Sequence, residues 1–255
     1  MRTIQTPGAF SGLAGVPRLL PTAIETAVLV NEAAIKDWVV PRQSLLRLPT
    51  ATKGVKVQGK VGGSIWEAQG PSTTMSLSGS YSGVEFTNVA AAPLLSDFEV
   101  PPSYTIISVV ELDDVAGIRP VFAGAGTLSV AGTLLLWVST GGYVRLQHGA
   151  SNGIQTPTGV ISANTKALIY ASFDAGSMTA ALGVNKLTPP TTGTIGAQHA
   201  GASRSFVGST SDGGALDGHV FEWMVLNRAY HLAEHDAARQ TLLDTIADVY
   251  GITLT

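Results

Sequence analysis

Residues 215–251 read ALDGHVFEWMVLNRAYHLAEHDAARQTLLDTIADVYG, and they carry the strongest structural signal in the chain. Residues 220–226 alternate between two sets, a period typical of a β-strand that packs one face inward. The sets are Val220, Glu222, Met224 and Leu226 on one side, and Phe221, Trp223 and Val225 on the other. Asn227 and Arg228 then predict a turn. Beyond it, apolar residues recur at spacings of three and four until Gly251, which predicts an amphipathic helix lying on the sheet.

Upstream, from about residue 72, short β-rich runs are separated by Gly, Ser, Asn and Asp, a texture typical of a sandwich or a barrel. The tetrapeptides at residues 139–142 (STGG) and 174–177 (DAGS) have the composition of hairpin turns. The chain contains no cysteine, so neither disulfides nor cysteine-bound zinc can support it. We therefore expect a sizeable hydrophobic core, which 255 residues can supply.

The C-terminal third resembles the laminin G-like, concanavalin A-like family. The resemblance rests on residues 167–187 (ALIYASFDAGSMTAALGVNKL), 204–210 (RSFVGST) and 215–251, in that order and spacing. It implies an all-β fold, an antiparallel β-sandwich (jelly roll) over residues 71–255 with a C-terminal amphipathic helix. This architecture hosts lectins, glycosidases, adhesion modules and virion proteins, so the resemblance implies a fold and no single activity.

Residues 1–70 are predicted to form an extended N-terminal arm or a small packing layer. Five prolines interrupt the apolar runs of this segment before any of them can become a long helix or a central strand. The segment is too apolar for simple disorder, so it must lie against its own body, a sister subunit or another protein. The candidate partner-binding residues are Leu19, Leu20, Val28, Leu29, Trp38, Leu45 and Leu46.

Charge is sparse and unevenly spread. Charged residues make up 13% of the chain, against about 25% in ordinary domains. Residues 1–70 hold eight basic and four acidic residues, whereas residues 71–255 hold seven basic and fourteen acidic ones. An acidic body with dispersed basic residues argues against a nucleic-acid partner. No apolar run approaches the roughly 20 residues that span a bilayer, so no membrane partner is expected.

The carboxylates and histidines do not form a catalytic pattern, and the chain is predicted not to be an enzyme. Glycosidases of this architecture need two carboxylates across the scissile bond. The nearest phrase, Glu111, Asp113 and Asp114, lacks a following Glu. His231 and His235 are spaced to share a metal on a helix, but they lack the Glu and the third ligand of a metalloprotease.

Calcium is the one cofactor that the sequence suggests. Asp212 and Asp217, in the loop SDGGALDG, could supply oxygen ligands, and Asp113 with Asp114 forms a second candidate pair. The alternative is that these Asp-Gly sequences only form turns. For sugar binding, the stacking candidates are Trp137, Tyr143 and Trp223, although their place within alternating strands also suits packing.

Taken together, these features predict a virion structural protein of a bacteriophage, a capsid decoration (cement) protein attached through its N-terminal arm. The expected location is the virion, and the expected partners are the major capsid protein or another virion protein and further copies of the chain. A trimer is expected by analogy with such proteins. The alternative is a carbohydrate-binding lectin or adhesin module, as in a tail or fibre protein, whose partner is a surface glycan. A degenerate glycosidase is a third hypothesis.

Overall fold

The computed structural model describes residues 33–88, 93–124, 133–149, 152–197, 204–209 and 214–255. These residues form seventeen strands in two antiparallel sheets, which confirms the predicted all-β sandwich. The eight-stranded sheet consists of β1 (Ile35–Val39), β5 (Thr74–Ser78), β6 (Tyr81–Thr87), β8 (Tyr104–Leu112), β13 (Lys166–Asp174), β14 (Thr179–Val184), β15 (Thr191–Thr194) and β17 (Asp217–Leu226). The nine-stranded sheet consists of β2 (Leu45–Arg47), β3 (Lys56–Gln58), β4 (Ile65–Ala68), β7 (Leu94–Ser96), β9 (Arg119–Gly124), β10 (Leu134–Ser139), β11 (Tyr143–His148), β12 (Asn152–Gln155) and β16 (Ser205–Val207).

The order of the strands brings distant parts of the chain side by side. In the eight-stranded sheet the order is β15-β14-β13-β8-β17-β6-β5, and β1 pairs with β17 beside β6. In the nine-stranded sheet the order is β12-β11-β10-β9-β16-β7-β4-β3-β2. The inner faces of the two sheets enclose the main core, where the Trp66 and Trp223 rings meet edge to face at 5.4 Å. Burial of these two large rings ties β4 of one sheet to β17 of the other.

Two helices accompany the sheets: α1 (Pro41–Ser44) and α2 (Asp236–Tyr250), which a 3₁₀ turn at Ala233–His235 precedes. Helix α2 covers the outer face of the eight-stranded sheet, as predicted. Its buried apolar residues contact strand residues in a second core, and they are Leu242, Leu243, Ile246, Ala247 and Tyr250. The helix ends at Gly251, whose φ of +65° is a left-handed conformation that favours glycine. No helix in the described ranges is long and apolar enough to cross a bilayer.

The described part of the predicted arm contributes four strands to the sandwich. Strand β1 pairs with β17, and β4 pairs with β7, so residues 33–70 share both sheets with the rest of the chain. No break between the sheets therefore coincides with the predicted boundary at residue 70. Leu19, Leu20, Val28 and Leu29 lie outside the described residues, and an arm in that region stays a prediction.

Three of the predicted partner-binding residues can be placed. Trp38 is 4% exposed and packs in the second core of its own chain. Its indole Nε1 donates a hydrogen bond to Glu222 Oε1 at 2.7 Å, so β1 is fastened to β17 through a side chain as well as through the backbone. Leu45 packs partly buried against the main core. Leu46 points outward and is 51% exposed.

Two buried carboxyl groups hold this segment in place. Glu222 accepts hydrogen bonds from Trp38 and from the Tyr250 hydroxyl, and burial raises the pKa of Glu222. Asp37 accepts hydrogen bonds from the Ser64 hydroxyl and, at 2.8 Å, from Trp66 Nε1. Burial raises the pKa of Asp37 to about 6. Each carboxyl group therefore connects β1 to a residue far away in the sequence.

Candidate functional site

Strands β10 and β11 present different faces to the core and to the outside. The residues that point inward belong to the main core, and they are Leu134, Leu136, Val138, Val144 and Leu146. The alternate residues lie on the outer surface of the nine-stranded sheet, because successive side chains of a strand point to opposite faces. Together with Phe206 on β16, these outward residues form what we call the outer aromatic face: Leu135, Trp137, Tyr143, Arg145, Gln147 and Phe206.

Trp137 is the centre of the outer aromatic face. The Tyr143 ring lies 6.0 Å from the Trp137 ring at an angle of 59°, and the Arg145 guanidinium lies 5.9 Å from the same ring. The Trp137 indole N–H donates to Gln147 Oε1 at 3.2 Å. Trp137 itself is 7% exposed, whereas Tyr143 and Phe206 are half-buried. The rings available to a ligand on this face are therefore those of Tyr143 and Phe206, with Trp137 supporting them.

The hairpin turn between β10 and β11 fixes the position of Tyr143. The turn closes with a hydrogen bond of 2.9 Å from the Gly142 amide to the Ser139 carbonyl. Gly142 has a φ of +69°, and a Cβ atom there would lie 2.1 Å from the Ile161 carbonyl oxygen. Only glycine suits this position, and the tight turn places Tyr143 at the start of β11 beside the loop that contains Ile161.

Charged residues occupy the opposite end of the same surface, at strands β2, β3 and β4. Arg47 and Lys56 each lie 3.0 Å from a carboxylate oxygen of Glu67. Hydrogen bonds from Lys56 and Arg47 hold the pKa of Glu67 below its ordinary value. This end of the surface is thus polar and carries a net positive charge.

Of the three stacking candidates from the sequence, the structure brings two together. Trp137 and Tyr143 are neighbours on the outer aromatic face. Trp223 is 1% exposed and lies in the main core, where it packs on Trp66, so it has no surface to offer a sugar. For Trp223 the structure supports the packing alternative: β17 is buried on both faces, by the main core on one side and by the second core under helix α2 on the other. A register shift between Val220 and Glu222 places Val220, and not Phe221, on the same face as Trp223.

The predicted calcium ligands are only partly placed. Asp212 lies outside the described residues. The backbone amide of Asp113 donates to the Asp217 carbonyl at 2.9 Å, and burial together with the charge of Asp113 raises the pKa of Asp217. Asp114 is paired with Arg119 at 2.5 Å. Within the described ranges, no three His, Asp or Glu side chains meet as metal ligands, and a calcium site stays a prediction.

Glu111, the residue considered for hydrolysis, lies on the outer face of the eight-stranded sheet. It accepts hydrogen bonds from the Ser78 hydroxyl at 2.6 Å and pairs with Lys166 at 3.0 Å. Burial acts to raise the pKa of Glu111, but the hydrogen bonds from Ser78 and Lys166 outweigh it and the pKa is lowered. A glycosidase acid needs a raised pKa, so Glu111 does not have the property of a general acid.

The two helical-spaced histidines do not share a site. His231 uses both ring nitrogens, with Nδ1 2.9 Å from Ser172 Oγ and Nε2 3.0 Å from Thr179 Oγ1. The His235 ring packs 5.1 Å from the ring of Tyr230. Both ring nitrogens of His231 therefore face hydroxyl groups in this arrangement.

Sequence reasoning missed Arg145, Gln147 and Phe206. A signal for the first two was present, because Tyr143, Arg145 and Gln147 alternate with Val144 and Leu146 on one strand. No comparable signal marks Phe206, which reaches this surface through the pairing of β16 with β9, some 80 residues away in the chain.

No family model and no curated protein matches the chain. Solved structures do match it. One is domain 4 of the extracellular arabinanase AbnA (GH43) from Geobacillus stearothermophilus, in complex with arabinotriose. That domain is 14% identical, has a TM-score of 0.53, and the match covers 68% of this chain and 82% of the domain.

Two larger proteins also match. The receptor binding domain of botulinum neurotoxin type G is 10% identical with a TM-score of 0.54, and the match covers 80% of this chain and 51% of that one. The sialidase of Trypanosoma rangeli is 15% identical with a TM-score of 0.53, over 85% of this chain and 33% of that one. The chain thus spans about half and a third of their lengths. At such identities these matches show a shared β-sandwich fold, consistent with the concanavalin A-like resemblance.

Proposed function

We propose that the protein is a carbohydrate-binding module that holds a glycan on its outer aromatic face. The observation that carries this proposal is the placement of the partly exposed Tyr143 ring on a sheet beside Trp137, whose other neighbours are Arg145 and Gln147. Phe206, also partly exposed, packs against the same cluster from β16, three strands from β11. Sugars have apolar C–H faces edged with hydroxyl groups. A ring that is apolar in the middle, with hydrogen-bonding side chains around it, complements both features.

The rigidity of this surface supports the proposal. Trp137 is hydrogen-bonded to Gln147 and packed against Tyr143, so the rings are held in place before any ligand arrives. A ligand that meets a preorganised surface loses less of its binding energy to the ordering of side chains. The arabinanase domain provides an example of this fold with a bound oligosaccharide. Because that domain is only 14% identical, its example supports the architecture and leaves the sugar open.

The test is a glycan array followed by calorimetry on each hit. Tyr143→Ala is expected to weaken binding about tenfold, since stacking on an aromatic ring contributes on the order of 1 kcal/mol. Tyr143→Phe keeps the ring and should retain most of the affinity. Leu77→Ala is the matched control, because Leu77 is an exposed apolar residue on the other sheet. Unchanged affinity in Tyr143→Ala would contradict the proposed site, and no binding to any glycan would contradict the function.

The virion role that the sequence predicts finds no support among these comparisons. It stays a prediction, as does the absence of enzyme activity. A capsid or tail partner and a trimeric state would be detected by co-sedimentation with virion shells and by light scattering. A glycan-binding module of a tail fibre would satisfy both the virion hypothesis and the glycan-binding proposal. A shell-bound protein without glycan affinity would satisfy only the virion hypothesis.

A further inference from the structure

We infer that the glycan recognised on this surface is acidic, and that Arg145 binds its carboxylate. This inference rests on the proposed function and specifies the class of sugar. Arg145 lies in the middle of β11, two residues from Tyr143 and from Gln147. Its strand neighbours are Trp137 on β10 and Gln155 on β12. The guanidinium group is therefore in the centre of the outer aromatic face and within reach of any ligand stacked there.

Arg145 has no partner for its charge. Its side chain makes no hydrogen bond or ion pair in the part of the chain that the structure describes, and its Nε atom is buried without an acceptor. Among the described residues, its one aromatic contact is the Trp137 ring, at 5.9 Å. A buried donor without an acceptor destabilises a protein. Such a group is a candidate for satisfaction by a ligand.

The other enclosed arginines of the described residues have hydrogen-bond partners, and three of them have a carboxylate. The half-buried Arg42 has no ion pair, but it donates to the Tyr250 hydroxyl at 3.4 Å. Arg47, Arg119 and Arg239 are buried or half-buried, and each has a carboxylate oxygen within 3.0 Å. These three stabilise the fold through complete ion pairs. Arg145 has the same degree of enclosure as Arg47 but lacks the anion. No carboxylate among the described residues reaches Arg145, and on the proposed function its anion comes from the ligand.

The sheet leaves room beside Arg145. Gly153 is the neighbour of Gln147 on β12. A Cβ atom on Gly153 would lie 3.0 Å from Arg145 Nε and 2.8 Å from Gln147 Cβ. The glycine thus lets the Arg145 Nε atom lie against β12. A guanidinium group can donate two parallel hydrogen bonds to a carboxylate, which a lysine cannot supply.

The outer face of the nine-stranded sheet carries more basic than acidic side chains, with Arg145 at one end and the Glu67-paired Arg47 and Lys56 at the other. The outward residues of the nine-stranded sheet include three basic side chains (Arg47, Lys56 and Arg145) and one acidic side chain, Glu67. The whole chain, in contrast, has a net charge of −3. A locally positive surface attracts acidic ligands.

The experiment compares each acidic oligosaccharide with a partner that differs only in the carboxylate. The probes are trigalacturonate against its methyl ester, and sialyllactose against lactose, measured by calorimetry on the full chain. The acidic member of at least one pair is expected to bind about tenfold more tightly, equivalent to about 1.4 kcal/mol. A sulfated tetrasaccharide is included, and tighter binding of the sulfate than of either carboxylate would overturn the assignment of a carboxylate.

The variants Arg145→Gln and Arg145→Lys locate the effect. Arg145→Gln is expected to abolish the preference for the acid, because it weakens binding of the acidic partner about tenfold more than binding of the neutral one. Arg145→Lys should retain part of the preference. Circular dichroism checks the folding of both. The comparison on the unmodified protein does not depend on either variant. Equal binding of acid and neutral partner overturns this inference alone, whereas absence of binding to every sugar overturns the proposed function as well.

Discussion

The outer faces of the two sheets differ in whether other parts of the chain cover them. On the eight-stranded sheet, apolar side chains such as Phe221 and Met224 are covered by helix α2 and by Trp38, so this face is a second core. On the nine-stranded sheet, the rings of Tyr143 and Phe206 remain partly exposed beside an unpaired arginine. One face thus contributes stability, and the other keeps side chains available. Because helix α2 stabilises the eight-stranded sheet from outside, the outer face of the nine-stranded sheet can stay uncovered and available for binding.

The largest effect is expected at the covered face. Tyr250→Ala removes a buried ring that packs on Tyr81 and Phe221, and it leaves Glu222 with Trp38 as its one remaining side-chain donor among the described residues. The free energy of unfolding should fall by about 4 kcal/mol, as for buried aromatic residues in general. Urea unfolding followed by circular dichroism measures it.

Tyr250→Phe separates the two causes of this loss, because it keeps the ring and removes only the hydroxyl. Tyr250→Phe should lower the free energy of unfolding by about 1–2 kcal/mol. Leu77→Ala, at a residue that is 71% exposed on the same sheet, should change the stability by less than about 0.5 kcal/mol. If Tyr250→Ala unfolds at the same urea concentration as the wild type, the helix does not close this face.

The second effect concerns pH and strand β1, which joins the covered face. The pKa of Asp37 is raised by burial from 3.8 to about 6. A carboxyl group with a raised pKa stabilises the folded state while it is protonated, below its unfolded pKa. That contribution disappears as the pH rises through the folded pKa. Between pH 4 and pH 7, Asp37 should therefore lose on the order of 3 kcal/mol of its contribution.

Asp37→Asn provides the comparison, since asparagine does not titrate. Its amide oxygen can accept from Trp66, and its NH2 group can donate to the Ser64 hydroxyl. The stability of the wild type minus that of Asp37→Asn should decrease as the pH rises across this window. Urea unfolding at several pH values gives the difference, and other titrating groups cancel from it. A difference that is constant or that grows with pH would show that Asp37 ionises freely in the folded protein.

The sequence predicted the covered outer face of the eight-stranded sheet better than the outer aromatic face of the nine-stranded sheet, which we call the open face. In residues 215–251 the strand and the helix are long and their apolar residues are periodic. Both elements can therefore be recognised from the sequence without knowing what they pack against. The strands of residues 33–70 are three to five residues long, too short for a period to show. The partner that fixes Trp38 is Glu222, 184 positions away. Only the assembled sheets reveal that such a segment belongs to the sandwich.

The open face was hidden for a different reason. Every residue of β10 is buried, so Leu135 and Trp137 look like core residues from sequence and from burial alike. What separates them from Leu134 and Leu136 is the side of the sheet they occupy. The chemistry of this face arises when β11 and β16 place Arg145 and Phe206 around Trp137. Stacking candidates can be found in a sequence, but the polar groups beside them depend on the register.

The smallest change in stability is expected at the open face, where Tyr143→Ala can be compared directly with Tyr250→Ala at the covered face. Tyr143→Ala removes a half-buried ring at the end of β11, so the free energy of unfolding should fall by less than about 1 kcal/mol. The same variant is expected to lose most of its affinity for the glycan. Urea unfolding and calorimetry on one preparation test both statements. A loss of stability as large as that of Tyr250→Ala would mean that Tyr143 supports the fold, and the two outer faces would then serve the same purpose.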